Sequence, residues 1–230
     1  MPRCVVLLSG GLDSATAAAV ARQQGFDLFV LTVAYGQRHA AEIRAAERLA
    51  QVFRAKQHKT FQVSLGDLGG SALLGQGQVP KNRQIENEND IPPTYVPARN
   101  TILLGLALAY AEVIDSQDIF VGFNAVDYSG YPDCRPEFVD AFQKVASLAT
   151  KAAVEGRPTK IHAPLITLTK RQIIELGVSL GVDYSLTLSC YDPDPSGQPC
   201  GECDSCRIRA KGFAEAGLAD PALQPGGAPR

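Results

Sequence analysis

Neither sign of charge is in surplus: 22 Lys and Arg stand against 24 Asp and Glu, a net charge of -2. No overall basic field is available to hold a nucleic acid backbone by counterion release, and only a local patch could do so. Long hydrophobic runs are also missing. The longest mostly apolar stretch, 102–114, is too short for a membrane span and contains Glu112. Near the start, Arg3 and the apolar run 4–8 are cut off by Ser9-Gly10-Gly11-Leu12-Asp13 before a secretory core is complete. The expectation is a cytoplasmic protein with neither a membrane nor a nucleic acid as partner. There is no internal repeat, and 230 residues leave no room for a fused ammonia-generating domain beside a full catalytic one. With 45% apolar and 20% charged residues, the composition excludes a disordered chain.

What is present reads as strands alternating with helices. Residues 4–8 form an apolar, β-rich run, and the alanine-rich stretch 14–24 favours helix after the glycine pair. A second buried strand is expected over 28–33, then a helix over 40–54 with Ile43, Ala46, Leu49 and Phe53 on one face. Further strands fall near 59–64, 118–122 and 160–163, with a helix over 102–114. This order predicts an α/β fold, a doubly wound parallel sheet with helices on both faces. Thr169-Lys170-Arg171-Gln172 has capping-box spacing ahead of Ile173, Ile174 and Leu176, so a helix starts there and stops at Gly181. The stretch 66–97 holds five glycines and four prolines, cannot be one regular element, and is expected to be a functional or mobile loop. The expected division is a catalytic α/β domain over 1–185, a small cysteine subdomain over 186–216 and a frayed tail over 217–230.

Ser9-Gly10-Gly11-Leu12-Asp13-Ser14 sits between a strand and a helix, where α/β folds bind phosphates. The glycines let backbone N–H groups approach an anion, Ser9 and Ser14 add hydroxyls, and Asp13 could hold a magnesium ion. The Lys of a Walker loop is absent, as is the Gly-x-Gly-x-x-Gly of dinucleotide folds. The motif resembles that of the PP-loop ATP pyrophosphatases. The resemblance implies that the loop grips the pyrophosphate part of ATP while a substrate attacks the α-phosphorus, leaving an adenylated substrate and pyrophosphate. It also implies ATP contacts from Leu8, Ser9, Gly10, Gly11, Leu12, Asp13, Ser14, Ala15, Thr16, Ala17 and Ala18, with adenine stacked near Val33.

Cys190, Cys200, Cys203 and Cys206 supply four thiolates, enough for a closed tetrahedral zinc site with one zinc per chain, and Arg207 and Arg209 can offset their charge. An iron-sulfur cluster is the competing occupant, although no further cysteine follows Cys206 as a ferredoxin arrangement would need. Closed zinc ribbons often bind nucleic acid, so a binding module is the rival reading. Cys4 and Cys134 read as small buried hydrophobes.

Three polar clusters follow strands or open helices and converge on the same edge: Tyr35-Gly36-Gln37-Arg38-His39, Tyr95-Val96-Pro97-Ala98-Arg99-Asn100 and 127–135. Each has a bland alternative in helix capping, a surface ion pair or an ordinary loop, and for His58 and His162 a structural role is preferred. Together with the helix start at Thr169-Lys170, Ser189-Cys190-Tyr191 and the cysteine run, these strings resemble the 7-cyano-7-deazaguanine synthase (QueC) family. That resemblance implies conversion of 7-carboxy-7-deazaguanine, ammonia and ATP into the nitrile, by adenylation of the carboxylate and then of the amide, in a homodimer. Free ammonia is the expected nitrogen source, since no glutaminase nucleophile is evident. Backbone N–H groups, magnesium, Lys170 and Arg99 would stabilise the phosphates. Gln37, Arg38, His39, Arg99, Asn100, Asp127 and Asp133 are the substrate-binding candidates. Asp127 or Asp133 could accept the paired N–H groups of a guanine-type base, and Arg99 or Arg135 could hold the carboxylate. A tRNA-thiolating enzyme shares the loop but needs a catalytic thiol and a basic RNA surface.

Overall fold

The structure is a computed structural model and describes residues 1–36, 41–74, 77–83, 91–125 and 130–223. Five parallel strands lie in the order β3-β2-β1-β4-β5: β1 (Arg3–Leu7), β2 (Asp27–Ala34), β3 (Gln57–Gln62), β4 (Asp118–Phe120) and β5 (Lys160–His162). Among the described residues seven α-helices accompany them: α1 (Leu12–Gln23), α2 (Ala41–Val52), α3 (Arg99–Val113), α4 (Pro136–Ala146), α5 (Lys151–Val154), α6 (Lys170–Ser179) and α7 (Asp204–Glu215).

Side chains alternate across the sheet, and both faces are covered at β1, β2 and β4, while β3 is a polar edge strand without a buried residue. Cys4, Val6, Leu8, Val30 and Phe120 pack against Ala15 and Ala18 of α1, Leu49 of α2 and Ile173 and Ile174 of α6. Val5, Leu7, Leu31, Val33 and Ile119 face the other way, against Leu104 and Ala107 of α3 and Val139 and Phe142 of α4. A strand dry on both faces requires apolar residues at consecutive positions, which is why the run 4–8 does not alternate with polar residues. The chain winds from β1 out to β3 and then returns to the other side of β1, so the order reverses between β1 and β4. Crevices at the carboxyl ends of strands open at such a switch point.

Element boundaries depart from the sequence reading where long-range contacts set them. Helix α1 begins at Leu12, with Gly11 as its cap, and α3 begins at Arg99, so Asp13, Arg99 and Asn100 all stand in first helical turns. The capping box of α6 forms: Thr169 Oγ1 accepts from Gln172 N at 3.2 Å, and Gln172 Oε1 accepts from Thr169 N at 2.9 Å. Helices α4, α5 and α7 carry no counterpart in the sequence reading.

The described parts of 66–97 are a packed layer. Ala72 N donates to Pro93 O, Lys81 pairs with Cys203 in an antiparallel bridge, and Asn82 N donates to Glu202 O at 2.9 Å. Leu73, Leu74, Val79 and Val96 are buried with Leu188, Cys190, Cys203 and Cys206 in a third apolar cluster. The glycines and prolines of this stretch let an irregular chain bend over the cysteines.

Candidate active site and cysteine metal site

A cleft of about 280 Å³ opens at the switch point, lined by Ser9, Gly11, Leu12, Asp13 and Ser14 of the loop, Val33 near the end of β2 and Tyr35 after it, Arg99 and Asn100 of α3, Asn124 after β4, and Lys170 of α6. The two loop glycines do different work. Gly10 has φ +91, and a Cβ there would lie 2.4 Å from Glu42 O, so only glycine lets α2 approach β1. Gly11 has an ordinary φ of -80 and keeps the cleft wall bare for a ligand. A Cβ at Gly122 would lie 2.7 Å from Ser14 N, so β4 also depends on glycine to pass the loop.

Lys170 is buried, and its Nζ donates to Asp13 Oδ1 at 2.6 Å. A loop carboxylate and an ammonium on a separate helix thus meet on one wall. Asn124 Nδ2 donates to Leu165 O at 3.1 Å and ties the end of β4 to the segment leading into α6. Arg99 lies over the rings of Tyr35 and Tyr131, 5.5 and 5.9 Å from their centroids, and donates to Tyr35 Oη at 3.3 Å. Burial pulls its guanidinium pKa down, but Tyr35, Cys134, Tyr131 and Tyr191 together raise it above the ordinary value, so the charge is kept. Of the residues that the resemblance puts on ATP, Gly10, Ala15, Thr16, Ala17 and Ala18 do not line the cleft. The alanines are buried in the core behind the loop, and Thr16 bonds Leu12 O and Tyr184 Oη.

The sulfurs of Cys190, Cys200, Cys203 and Cys206 all lie within 4.8 Å of one another. Tetrahedral zinc with bonds of about 2.3 Å needs sulfurs roughly 3.8 Å apart, so small side-chain shifts close the site. Backbone N–H groups of Asp192 and Cys200 donate to Cys190 Sγ at 3.3 and 3.2 Å, and that of Cys203 donates to Cys200 Sγ at 3.4 Å. The donor set fits zinc. The cation beside the sulfurs is Lys81, which bonds Asp192 at 2.8 Å and also Cys200. Arg207 and Arg209 are engaged elsewhere, on Arg83 O and on Asp220.

The family model of queuosine biosynthesis protein QueC matches residues 3–217. The chain belongs to the QueC family. The 7-cyano-7-deazaguanine synthases of Azoarcus sp. (strain BH72) and Paramagnetospirillum magneticum are 60% and 61% identical to it over 222 and 223 residues, covering 96% of this chain in each case and 96% and 98% of the relatives. A solved 4-thiouridine synthetase in complex with RNA and bound ATP, 18% identical, superposes with a TM-score of 0.52 over 94% of this chain and 50% of its own length; this shows the shared fold. Among the described residues, no helix is long and apolar enough to cross a membrane.

In this QueC chain Asp133 is buried as a cap. Its Oδ2 accepts from Asn100 N at 2.9 Å and its carbonyl from Asn100 Nδ2 at 3.0 Å, while the cleft lining omits it. The N–H of Asn100, in the first turn of α3, has no intrahelical partner, which explains the bond. Arg135 is exposed and also outside the lining. Asp133→Ala is expected to lower stability by about 1–2 kcal/mol, as loss of a helix cap does, with urea unfolding as the measurement. Gln37, Arg38, His39 and Asp127 lie outside the described residues. His58 Nε2 pairs with Thr32 Oγ1 and His162 Nε2 with Asp118 Oδ1, both in structural positions. Cys134 borders the cleft, but burial pushes its thiol up to about 12, against the pull of Arg99, and leaves it a poor nucleophile.

Glu42, in the first turn of α2, also lines the cleft and was not among the residues read from sequence. Burial raises its carboxyl from 4.5 to about 7, with Arg99 pulling it back and Cys203 adding to the rise. Between those two values the folded protein keeps a proton that the unfolded chain releases, so stability falls as pH rises across that window. Glu42→Gln removes this loss. Relative to the parent, the variant is expected to gain of the order of 1–2 kcal/mol between pH 5 and pH 8, as pH-dependent urea midpoints would show.

Proposed function

We propose that the chain is an ATP-dependent 7-cyano-7-deazaguanine synthase, converting 7-carboxy-7-deazaguanine and ammonia to the nitrile. The observation that carries this is a phosphate-loop cleft joining Asp13, Lys170 and Arg99, in a chain about 60% identical over nearly its full length to relatives of that name.

The N–H groups of the loop and Lys170 hold the β- and γ-phosphates, and Asp13 would hold the magnesium ion that offsets their charge. The adenine lies against Val33. Arg99 orients the substrate carboxylate, one oxygen of which attacks the α-phosphorus and expels pyrophosphate. Ammonia then displaces AMP to give the amide. Since an amide oxygen is a poor leaving group, it is adenylated in turn, and loss of the second AMP with the nitrogen's two protons leaves the nitrile. With Asp133 committed to α3, Asp127 is the candidate reader of the deazaguanine edge. The cysteines hold one structural zinc. A homodimer is part of this reading, and Val113, Leu148 and Val154, 76%, 77% and 82% exposed, are apolar side chains available to it. Free ammonia as the nitrogen source and a cytoplasmic location complete the reading.

The test is incubation with 7-carboxy-7-deazaguanine, ammonium and ATP, followed by mass spectrometry. The expected products are the nitrile with two AMP and two pyrophosphate per turnover, and none with glutamine as sole nitrogen source. Release of ADP and phosphate would rule out attack at the α-phosphorus.

A further inference from the structure

We infer that the cysteine module is part of the phosphate site: Ser189 is a third hydroxyl of the pyrophosphate cradle, and Arg209 is its positioning residue. The inference deepens the reading of the loop as an ATP site and rests on it.

The hydrogen bonds of the loop point to this role. Ser9 N donates to Ser14 Oγ at 3.2 Å, Gly11 N to Ser9 Oγ at 3.3 Å, and Leu12 N to Ser189 Oγ at 3.3 Å. Three backbone donors at the carboxyl edge of β1 are thus each held by a serine hydroxyl at long range. A phosphate oxygen makes shorter, charge-assisted bonds to the same donors and frees the hydroxyls to turn and donate as well. Two of the serines belong to the loop. The third comes from 177 residues away and borders the same cleft.

Ser189 is fixed from the metal side. Leu188 N donates to Gly10 O at 2.9 Å, which pins the segment to the loop, and Cys190 follows directly. Arg209 donates from Nη1 to Ser189 Oγ at 3.4 Å and to Thr187 Oγ1 at 2.7 Å, and from Nη2 to Tyr184 O at 3.0 Å. Asp220 holds the same guanidinium through two bonds of 2.8 and 2.9 Å, both partners being nearly fully buried. Its charge is therefore balanced, and its forked geometry is what reaches Ser189. Arg209 stands three residues beyond Cys206 on α7, so cysteine ligands anchor both the serine and the arginine that sets it. The same helix bears on Lys170: a Cβ at Gly212 would lie 2.5 Å from Lys170 Cγ, behind the ammonium that holds Asp13. Zinc and pyrophosphate are therefore linked, and each strengthens the binding of the other by the same factor.

The probe is inorganic pyrophosphate, titrated by calorimetry into the zinc-loaded protein. Ser189→Ala is expected to keep its zinc and melting temperature and to bind pyrophosphate about tenfold more weakly, a deficit that Ser189→Thr partly restores. Arg209→Lys, which keeps a cation for Asp220 but not the fork, should weaken pyrophosphate binding with zinc retained. Saturating pyrophosphate should slow transfer of zinc to a coloured chelator in the parent and not in Ser189→Ala. Equal pyrophosphate affinity in parent and Ser189→Ala, with equal rates of zinc release, overturns the inference while leaving the ATP site standing. An Arg209→Lys variant that melts earlier with unchanged pyrophosphate affinity removes the positioning role. A parent that does not bind pyrophosphate at all overturns the ATP reading and this inference with it.

Discussion

Asp13→Ala is expected to lower AMP formation by a thousandfold or more, equivalent to about 4 kcal/mol of barrier, because charge on a transferring phosphoryl group is stabilised chiefly by groups placed in advance. The structure adds a direction for binding. Lys170 Nζ now donates to Asp13 at 2.6 Å. Without that carboxylate the ammonium turns to the nucleotide, so ATP should bind as tightly as before or more tightly while kcat collapses. Lys170→Ala does the reverse. It leaves Asp13 facing the phosphates as a like charge, so KM for ATP should rise as kcat falls. The two residues share one contact, and the double variant should be far less impaired than the product of the two losses. Asp13→Asn keeps the size and serves as the control for folding, with zinc content and melting temperature near those of the parent. Turnover within tenfold of the parent in Asp13→Ala would remove Asp13 from the chemistry.

The parts of this site legible in the sequence are those written locally. The apolar run 4–8, the glycine pair and the alanines of α1 specify strand, turn and helix within twenty residues, and Thr169 to Gln172 spell their own cap. Lys170 could therefore be placed in a first turn before its partner was known. Contacts made across the chain leave no such trace. Glu42 is one polar position in an amphipathic pattern, and nothing beside it tells that α2 will carry it into the cleft. Asp133 looked like a substrate group from its cluster, yet the donor it serves, Asn100 N, belongs to a helix 33 residues earlier. Helix α7 was hidden for another reason: its cysteines read as metal ligands at the expense of the helix that two of them anchor.

The second large effect concerns that anchor. Cys203→Ala is expected to abolish zinc retention and lower the melting temperature by roughly 10 °C or more, since structural zinc supplies several kcal/mol of folding free energy and each kcal/mol moves a chain of this length by about 2–4 °C. Cys203 is fully buried, caps α7, and pairs through its backbone with Lys81. Loss of its thiol strips a ligand from the metal and removes a buried side chain from the cluster that Leu73, Leu74 and Val79 form over the site, while the backbone bridge stays. Cys200 stands at the half-exposed rim, where water can replace the missing thiolate, so Cys200→Ala should cost less and leave residual zinc. The sheet, whose core clusters lie chiefly on the strands and helices α1 to α4 and α6, with Phe213 contributed by α7, should keep most of its far-ultraviolet signature in both variants. The measurement is zinc content by mass spectrometry alongside calorimetric melting. A colourless protein with one zinc per chain and a graded loss from Cys200 to Cys203 is the expected result. Visible absorbance with stoichiometric iron would assign the site to a cluster instead, and equal losses in the two variants would show that the rim and the buried ligand are equivalent.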